Sequence, residues 1–123
     1  MIGIGVIGYG YWGPNLVRNF SDQADVTVRV VCDMREERLD VVRRHYPHVR
    51  ATPRAADVLE DPAVDAVVIA TPAEYHFELG MEALRAGKHL LLEKPIAATA
   101  DQAARLIDEA ARRRLTLMVD HTF

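Results

Sequence analysis

The 123-residue sequence holds a single cysteine, Cys32, so an intramolecular disulfide framework is excluded. Cys32 stands in an apolar stretch, and His45, His48 and His89 fall at a helix end, in a loop and at a strand start with no metal-ligand spacing between them. No metal site is expected, and the setting expected is reducing and cytoplasmic. Basic residues are not in excess. Against 18 Asp and Glu there are 15 Lys and Arg, a formal net charge of -3, which leaves no overall positive field for a nucleic-acid backbone or an anionic membrane surface. The densest basic cluster, Arg112-Arg113-Arg114, closes a predicted helix, where cations suit the negative end of the macrodipole. No apolar run approaches the length of a membrane span. Met1-Ile2-Gly3-Ile4 lacks a basic leader and soon meets a turn signal, so it reads as a first strand rather than a secretion signal. Low-complexity runs and internal repeats are also missing, which argues against a linker or a solenoid.

What is present is an ordinary globular composition, 50% hydrophobic and 27% charged, in a length that suits one domain over residues 1–123. Residues 2–7 form a short apolar run as a buried parallel strand would, and a glycine-rich turn follows. Pro14 opens a helix with Leu16, Val17 and Phe20 inward, ending near Asp22. Val26 to Cys32 is the second strand, followed by a helix with Leu39, Val42 and Tyr46 at helical spacing that Pro47 stops. A short strand over 49–51, a helix with Val58 and Leu59 inward, and a very apolar strand over 64–70 come next. A helix over 75–86 ends at Gly87, a left-handed cap, and the strand His89-Leu90-Leu91-Leu92 follows. Thr99 and Gln102 make a capping box for a long helix with Ala103, Leu106, Ile107 and Ala110 inward, and the last strand spans 115–119. Six strands alternating with helices predict an α/β fold, a doubly wound parallel sheet in the order 3-2-1-4-5-6.

The loop Gly8-Tyr9-Gly10-Tyr11-Trp12-Gly13 lies between the first strand and the first helix. A bare Gly-x-Gly-x-x-Gly is a weak signal, and its position gives each glycine a task. Gly8 permits the tight turn, Gly10 a close approach of backbone to a pyrophosphate, and Gly13 tight packing of helix on strand. The N–H groups at the helix start then face the phosphates. An acidic residue for the adenosine ribose is expected about twenty residues on, and Asp33 stands at that distance from Gly13, closing the second strand. A carboxylate there accepts from ribose hydroxyls and repels a 2'-phosphate, so NAD is expected over NADP, although Arg35 and Arg38 could offset the repulsion. Tyr9, Tyr11 and Trp12 fit either shielding of the dinucleotide or lining of the cleft, or else packing on the surface or against a helix.

Ligands of an open parallel sheet lie beyond the carboxyl ends of its strands, which here carry Thr71-Pro72, Glu93-Lys94-Pro95 and Asp120-His121. Lys94 beside a nicotinamide could move a substrate hydroxyl proton, given partial burial; a solvated lysine paired with Glu93 fits equally. His76 could touch a sugar or the cofactor, or cap the backbone at its helix start.

This ordered set of Gly8-Tyr9-Gly10-Tyr11-Trp12-Gly13, Asp33, Thr71-Pro72 with His76, and Glu93-Lys94-Pro95 resembles the Gfo/Idh/MocA oxidoreductases, over essentially the whole chain. The resemblance implies a Rossmann domain binding NAD or NADP in an enzyme that passes hydride between a sugar or polyol carbon and the nicotinamide. It implies that Lys94 is the proton-transfer residue, that Glu93 and Thr71 lie beside the nicotinamide ribose, that Gly8, Gly10, Tyr11, Trp12, Gly13, Asp33, Pro72 and His76 complete the cofactor site, and that Lys94-Pro95 is a cis peptide. Residues 11–15, Tyr-Trp-Gly-Pro-Asn, further resemble members acting on nucleotide-linked sugars. Family members continue into a second domain, an antiparallel sheet with the substrate pocket and an Asp and His of the catalytic set. This sequence ends at Phe123, so that domain is expected to be absent from the chain and a full-length protein to be a homo-oligomer; Asp120-His121 close the last strand and are not that pair. Two other readings of the glycine loop remain, a non-catalytic dinucleotide sensor or regulatory module and a domain for another nucleotide such as S-adenosylmethionine. Neither has a task for Lys94.

Overall fold

A computed structural model describes residues 1–10 and 13–120. The elements are β1 (Ile2–Ile7), α1 (Gly13–Ser21), β2 (Val26–Cys32), α2 (Glu36–His45), β3 (Arg50–Thr52), α3 (Ala56–Leu59) and β4 (Ala66–Ile69). A 3-10 turn (Ala73–Tyr75) leads into α4 (His76–Arg85), followed by β5 (His89–Glu93), α5 (Ala100–Arg112) and β6 (Leu117–Asp120). All pairings are parallel, in the order β3-β2-β1-β4-β5-β6, as the alternation of strands and helices predicts.

Both faces of the sheet are covered, which is why its strands are apolar throughout. On one face Ile4, Val6 and Val31 pack with Leu16 and Val17 of α1 and Val42 of α2. On the other, Ile7, Ile69 and Leu92 pack with Val58, Leu84 and Leu106 of α3, α4 and α5. Each such side chain, fully buried, contributes about 1.5–3 kcal/mol. The chain order reverses between β1 and β4, and their carboxyl ends open a crevice there.

Local differences from the sequence expectation have physical causes. The third, fourth and sixth strands are Arg50–Thr52, Ala66–Ile69 and Leu117–Asp120 rather than 49–51, 64–70 and 115–119. Val49 and Val64 are buried just ahead of their ladders, so their apolar character reports burial and not pairing. In β2 the register with β1 shifts, Ile4 opposing Val28 and Gly5 opposing Val30, with Arg29 exposed between them. This bulge sends Val28 and Val30 to opposite faces, where unbroken alternation would keep them on one. Ile107, expected inward, is 53% exposed; α5 buries Leu106, Glu109 and Ala110.

The ends of elements follow their chemistry. Thr99 Oγ1 accepts from Gln102 N–H at 3.1 Å at the start of α5. Gly87 has φ +80 after α4. Lys88, at the amino end of β5, is buried, and its Nζ donates to the carbonyls of Asp61 at 2.8 Å and Val64 at 2.7 Å, pinning the loop that enters β4. Arg112 and Arg113 close α5 and both pair with Glu109. Among the described residues no helix is long and apolar enough to cross a membrane.

Candidate functional site

Gly8 leaves β1 at φ +101, and a Cβ there would stand 2.8 Å from the carbonyl carbon and oxygen of Ala70, so the turn into the crevice admits only glycine. Gly13 sits against the same loop, where a Cβ would come within 2.5 Å of Gly8 O. These two glycines let α1 close onto β1. Gly10 differs. Among the described residues a Cβ there would meet only the tip of the flexible Arg35 side chain, at 3.3 Å, so this position keeps a cradle open in front of the loop.

Asp33 follows β2 and is 7% exposed. Its Oδ2 accepts from the N–H of Tyr9 at 2.8 Å; its Oδ1 accepts from the N–H of Arg35 at 2.8 Å and from Arg35 Nε at 3.3 Å. Burial alone would push this carboxyl up, but the hydrogen bonds from Arg35 and Tyr9 and the adjacent guanidinium outweigh it and hold the group below its ordinary value. An ionised carboxylate offers about four acceptor sites, so roughly one is left for a ligand hydroxyl. Next to it, burial first and then the charges of Asp33 and Asp57 push the Cys32 thiol up to about 11, the state of an inert core cysteine.

Gly8, Gly10, Asp33, Thr71 and Pro72 line a single cleft of about 1040 Å³ at the crevice between β1 and β4. Arg35 and Arg38 stand on its β2 side and Tyr75 on its α4 side. Of the other expected site residues that the structure describes, Gly13, His76, Glu93 and Lys94 are not among those that line it. Gly13 is buried in the first turn of α1. Glu93 ends β5, buried, and Lys94 is exposed beside it, one strand over from Thr71, with the Lys94-Pro95 peptide cis. His76 starts α4 and is 1% exposed, with Nδ1 2.8 Å from the carbonyl of Pro95 and Nε2 2.9 Å from that of Thr71. Tyr11, Trp12 and His121 lie outside the described residues. Among the described residues no group of three His, Cys, Asp or Glu is placed to hold a metal ion.

Two residues act through contacts that the motif does not specify. Tyr9 is 3% exposed in the core and contributes its backbone N–H to Asp33, and Arg35 spends its N–H and guanidinium on the same carboxylate. The Asp-x-Arg spacing, a side chain accepting from the backbone two residues on, is the signal for the second.

A doubly wound parallel sheet, a glycine turn at its first strand–helix junction and a buried carboxylate at the end of β2 together define a dinucleotide-binding Rossmann domain. The chain belongs to the Gfo/Idh/MocA oxidoreductase family, NAD-binding Rossmann fold, whose model matches residues 2–121. It is 30% identical over 120 residues to scyllo-inositol 2-dehydrogenase (NADP(+)) IolW of Bacillus subtilis (strain 168), a match covering 98% of this chain and 33% of that one. Among solved structures, a 3-ketoreductase from Actinomadura kijaniata in complex with TDP-benzene and NADP superposes with a TM-score of 0.90 at 32% identity, over 97% of this chain and 37% of that one. GenD2 from gentamicin A biosynthesis, in complex with NAD, superposes with a TM-score of 0.91 at 28% identity, over 96% and 34%. The chain thus spans about a third of the length of these relatives.

Proposed function

We propose that this chain is the cofactor half of an oxidoreductase that passes hydride between a nicotinamide dinucleotide and a hydroxyl-bearing carbon of a sugar, nucleotide-sugar or polyol. The observation that carries the reading is the junction of the glycine loop with Asp33 around the cleft, where Gly10 keeps a cradle open and a held, ionised carboxylate waits at the ribose end. In this reading Gly8, Gly10, Gly13, Tyr11 and Trp12 surround the pyrophosphate, Asp33 takes a ribose hydroxyl, and Thr71, Pro72 and Glu93 border the nicotinamide ribose. The relatives named with inositol and with a TDP-linked ligand support a polyol or nucleotide-sugar substrate.

A bound nicotinamide supplies the two-electron acceptor or donor. Lys94 handles the proton: in the oxidative direction Nζ receives the hydroxyl proton as the carbinol carbon gives up hydride and the C=O bond forms, and the reverse step returns it. Because Lys94 is exposed here, the exclusion of water that this transfer needs comes from cofactor, substrate and the rest of a longer protein, which we place in a second domain. We further place the protein in the cytoplasm as a homo-oligomer with a small-molecule substrate and no nucleic-acid or membrane partner.

NAD is the preferred cofactor in this reading, since the carboxylate of Asp33 repels a 2'-phosphate, while Arg35 is already engaged by Asp33. Relatives solved or named with NADP and with NAD leave room for both. Calorimetric titration of folded protein decides: NADH binds more tightly than NADPH, and absence of binding by either dinucleotide sinks the proposal. A sensor without chemistry would keep full function on replacement of Lys94, whereas the enzyme loses turnover.

A further inference from the structure

Strands β4 and β5 are neighbours, and their ladder ends with Ile69 opposite Leu92. Beyond that pair the chain leaves the sheet twice, once through Thr71-Pro72 and once through Lys94-Pro95. The first loop lines the cofactor cleft; the second carries Lys94. The ring of His76 bridges them past the end of the ladder, with Nδ1 2.8 Å from Pro95 O and Nε2 2.9 Å from Thr71 O. Both partners are carbonyls and can only accept, so the ring is the donor. A neutral ring serves one of them at a time, and a ring carrying both protons serves both.

The ring cannot easily swing away. His76 is the first residue of α4, is 1% exposed, and sits on a helix held down by its buried Gly80, Met81 and Leu84. With both nitrogens turned to main-chain carbonyls and no part of the residue lining the cleft, the imidazole offers no atom to a ligand. It does not cap its own helix either, since cap donors are N–H groups and its partners are carbonyls.

We propose that His76 is a positioning residue, a latch that fixes the Lys94-Pro95 loop against the Thr71-Pro72 loop and thereby sets where Lys94 stands relative to the cleft. The catalytic consequence rests on the reading that Lys94 moves the proton; the latch itself does not.

The test uses full-length protein carrying His76→Ala or His76→Gln, with calorimetric titration of NADH and peptide-resolved amide hydrogen exchange. Exchange over residues 93–98 and 71–75 should rise together by about tenfold or more in the Ala variant, with the glycine loop and β2 unchanged, and the NADH Kd should stay within about threefold. The Gln variant, which keeps an amide donor for one carbonyl, should fall between wild type and Ala, and it carries the test if the Ala variant does not fold. Unaltered exchange over 93–98 in both variants, or a uniform rise across all peptides, would overturn the latch. So would an NADH Kd raised about tenfold with local exchange unchanged, which is the signature of a ligand contact. Turnover of a Lys94→Ala protein is measured separately; if it is unchanged the proton-transfer reading fails while the exchange pattern still decides the latch.

Discussion

The backbone N–H of Tyr9 donates to Asp33 Oδ2 at 2.8 Å, across 24 residues of sequence. The loop that would hold a pyrophosphate and the carboxylate that would hold a ribose are therefore tied to each other directly. A change at either end is felt at both.

Replacing Asp33 with Ala removes a hydrogen bond to a charged group from the ligand and strands the buried N–H of Tyr9. The NAD Kd should rise by about ten- to a hundredfold, the equivalent of about 1.5–3 kcal/mol, and folding stability should fall by about 1–3 kcal/mol. NADP affinity should fall less or rise, because the repulsion of its 2'-phosphate is gone. Titration of both dinucleotides, with denaturant unfolding alongside, checks each part.

Arg35 and Arg38 line the β2 side of the same cleft. In an Arg35→Glu, Arg38→Glu variant NADPH binding should weaken at least about tenfold more than NADH binding, because the two new carboxylates add to the repulsion of the 2'-phosphate by Asp33. Equal losses for both dinucleotides would remove these residues from cofactor discrimination.

Gly8 and Gly87, both at positive φ, should respond differently to alanine. At Gly87 nothing lies within 4 Å of a new Cβ, so only the backbone conformation resists, at about 1–2 kcal/mol. At Gly8 the same change also drives a Cβ into the Ala70 carbonyl, and the loss of stability in urea should be larger and accompanied by loss of dinucleotide binding.

Acid should loosen the fold through identifiable carboxylates. Glu109 is held at about 2 by hydrogen bonds from Arg112 and then Arg113. A carboxyl lowered on folding stabilises the folded state fully above its unfolded value near 4.3, and that contribution fades as pH falls toward about 2. Glu109→Gln should flatten this part of the acid-unfolding curve followed by circular dichroism. Asp33 and Asp57, also lowered, should leave further loss of the same sign in the variant.

With its thiol pushed up to about 11, Cys32 should be alkylated by iodoacetamide at pH 8 at least about a hundredfold more slowly than a free thiol until urea exposes it.

Much of this is legible in the sequence. Strand order, the tasks of Gly8 and Gly13 and the place of Asp33 follow from apolar runs broken by glycine and proline at regular intervals. Other features are not, because they depend on partners far along the chain. Val26 to Cys32 reads as one unbroken strand, and only its pairing with β1 shows the extra residue at Arg29. The apolar stripe of α5 includes Ile107 by spacing alone, yet Leu106 and Ala110 are buried while Ile107 faces out. His76 carries no local sign that its ring faces two carbonyls, one of them 19 residues away.

The chain has two lysines, and the sheet separates them. Lys88 is buried at the amino end of β5 with its ammonium enclosed by two carbonyls, while Lys94 stands exposed at the other end of the same strand. An amine-directed reagent such as an activated ester or formaldehyde with a mild reductant thus discriminates between the two lysines and favours the one at the carboxyl end of β5. Peptide-resolved labelling of Lys94, with Lys88 as the spectator, reports occupancy of that end of the strand without any knowledge of the substrate.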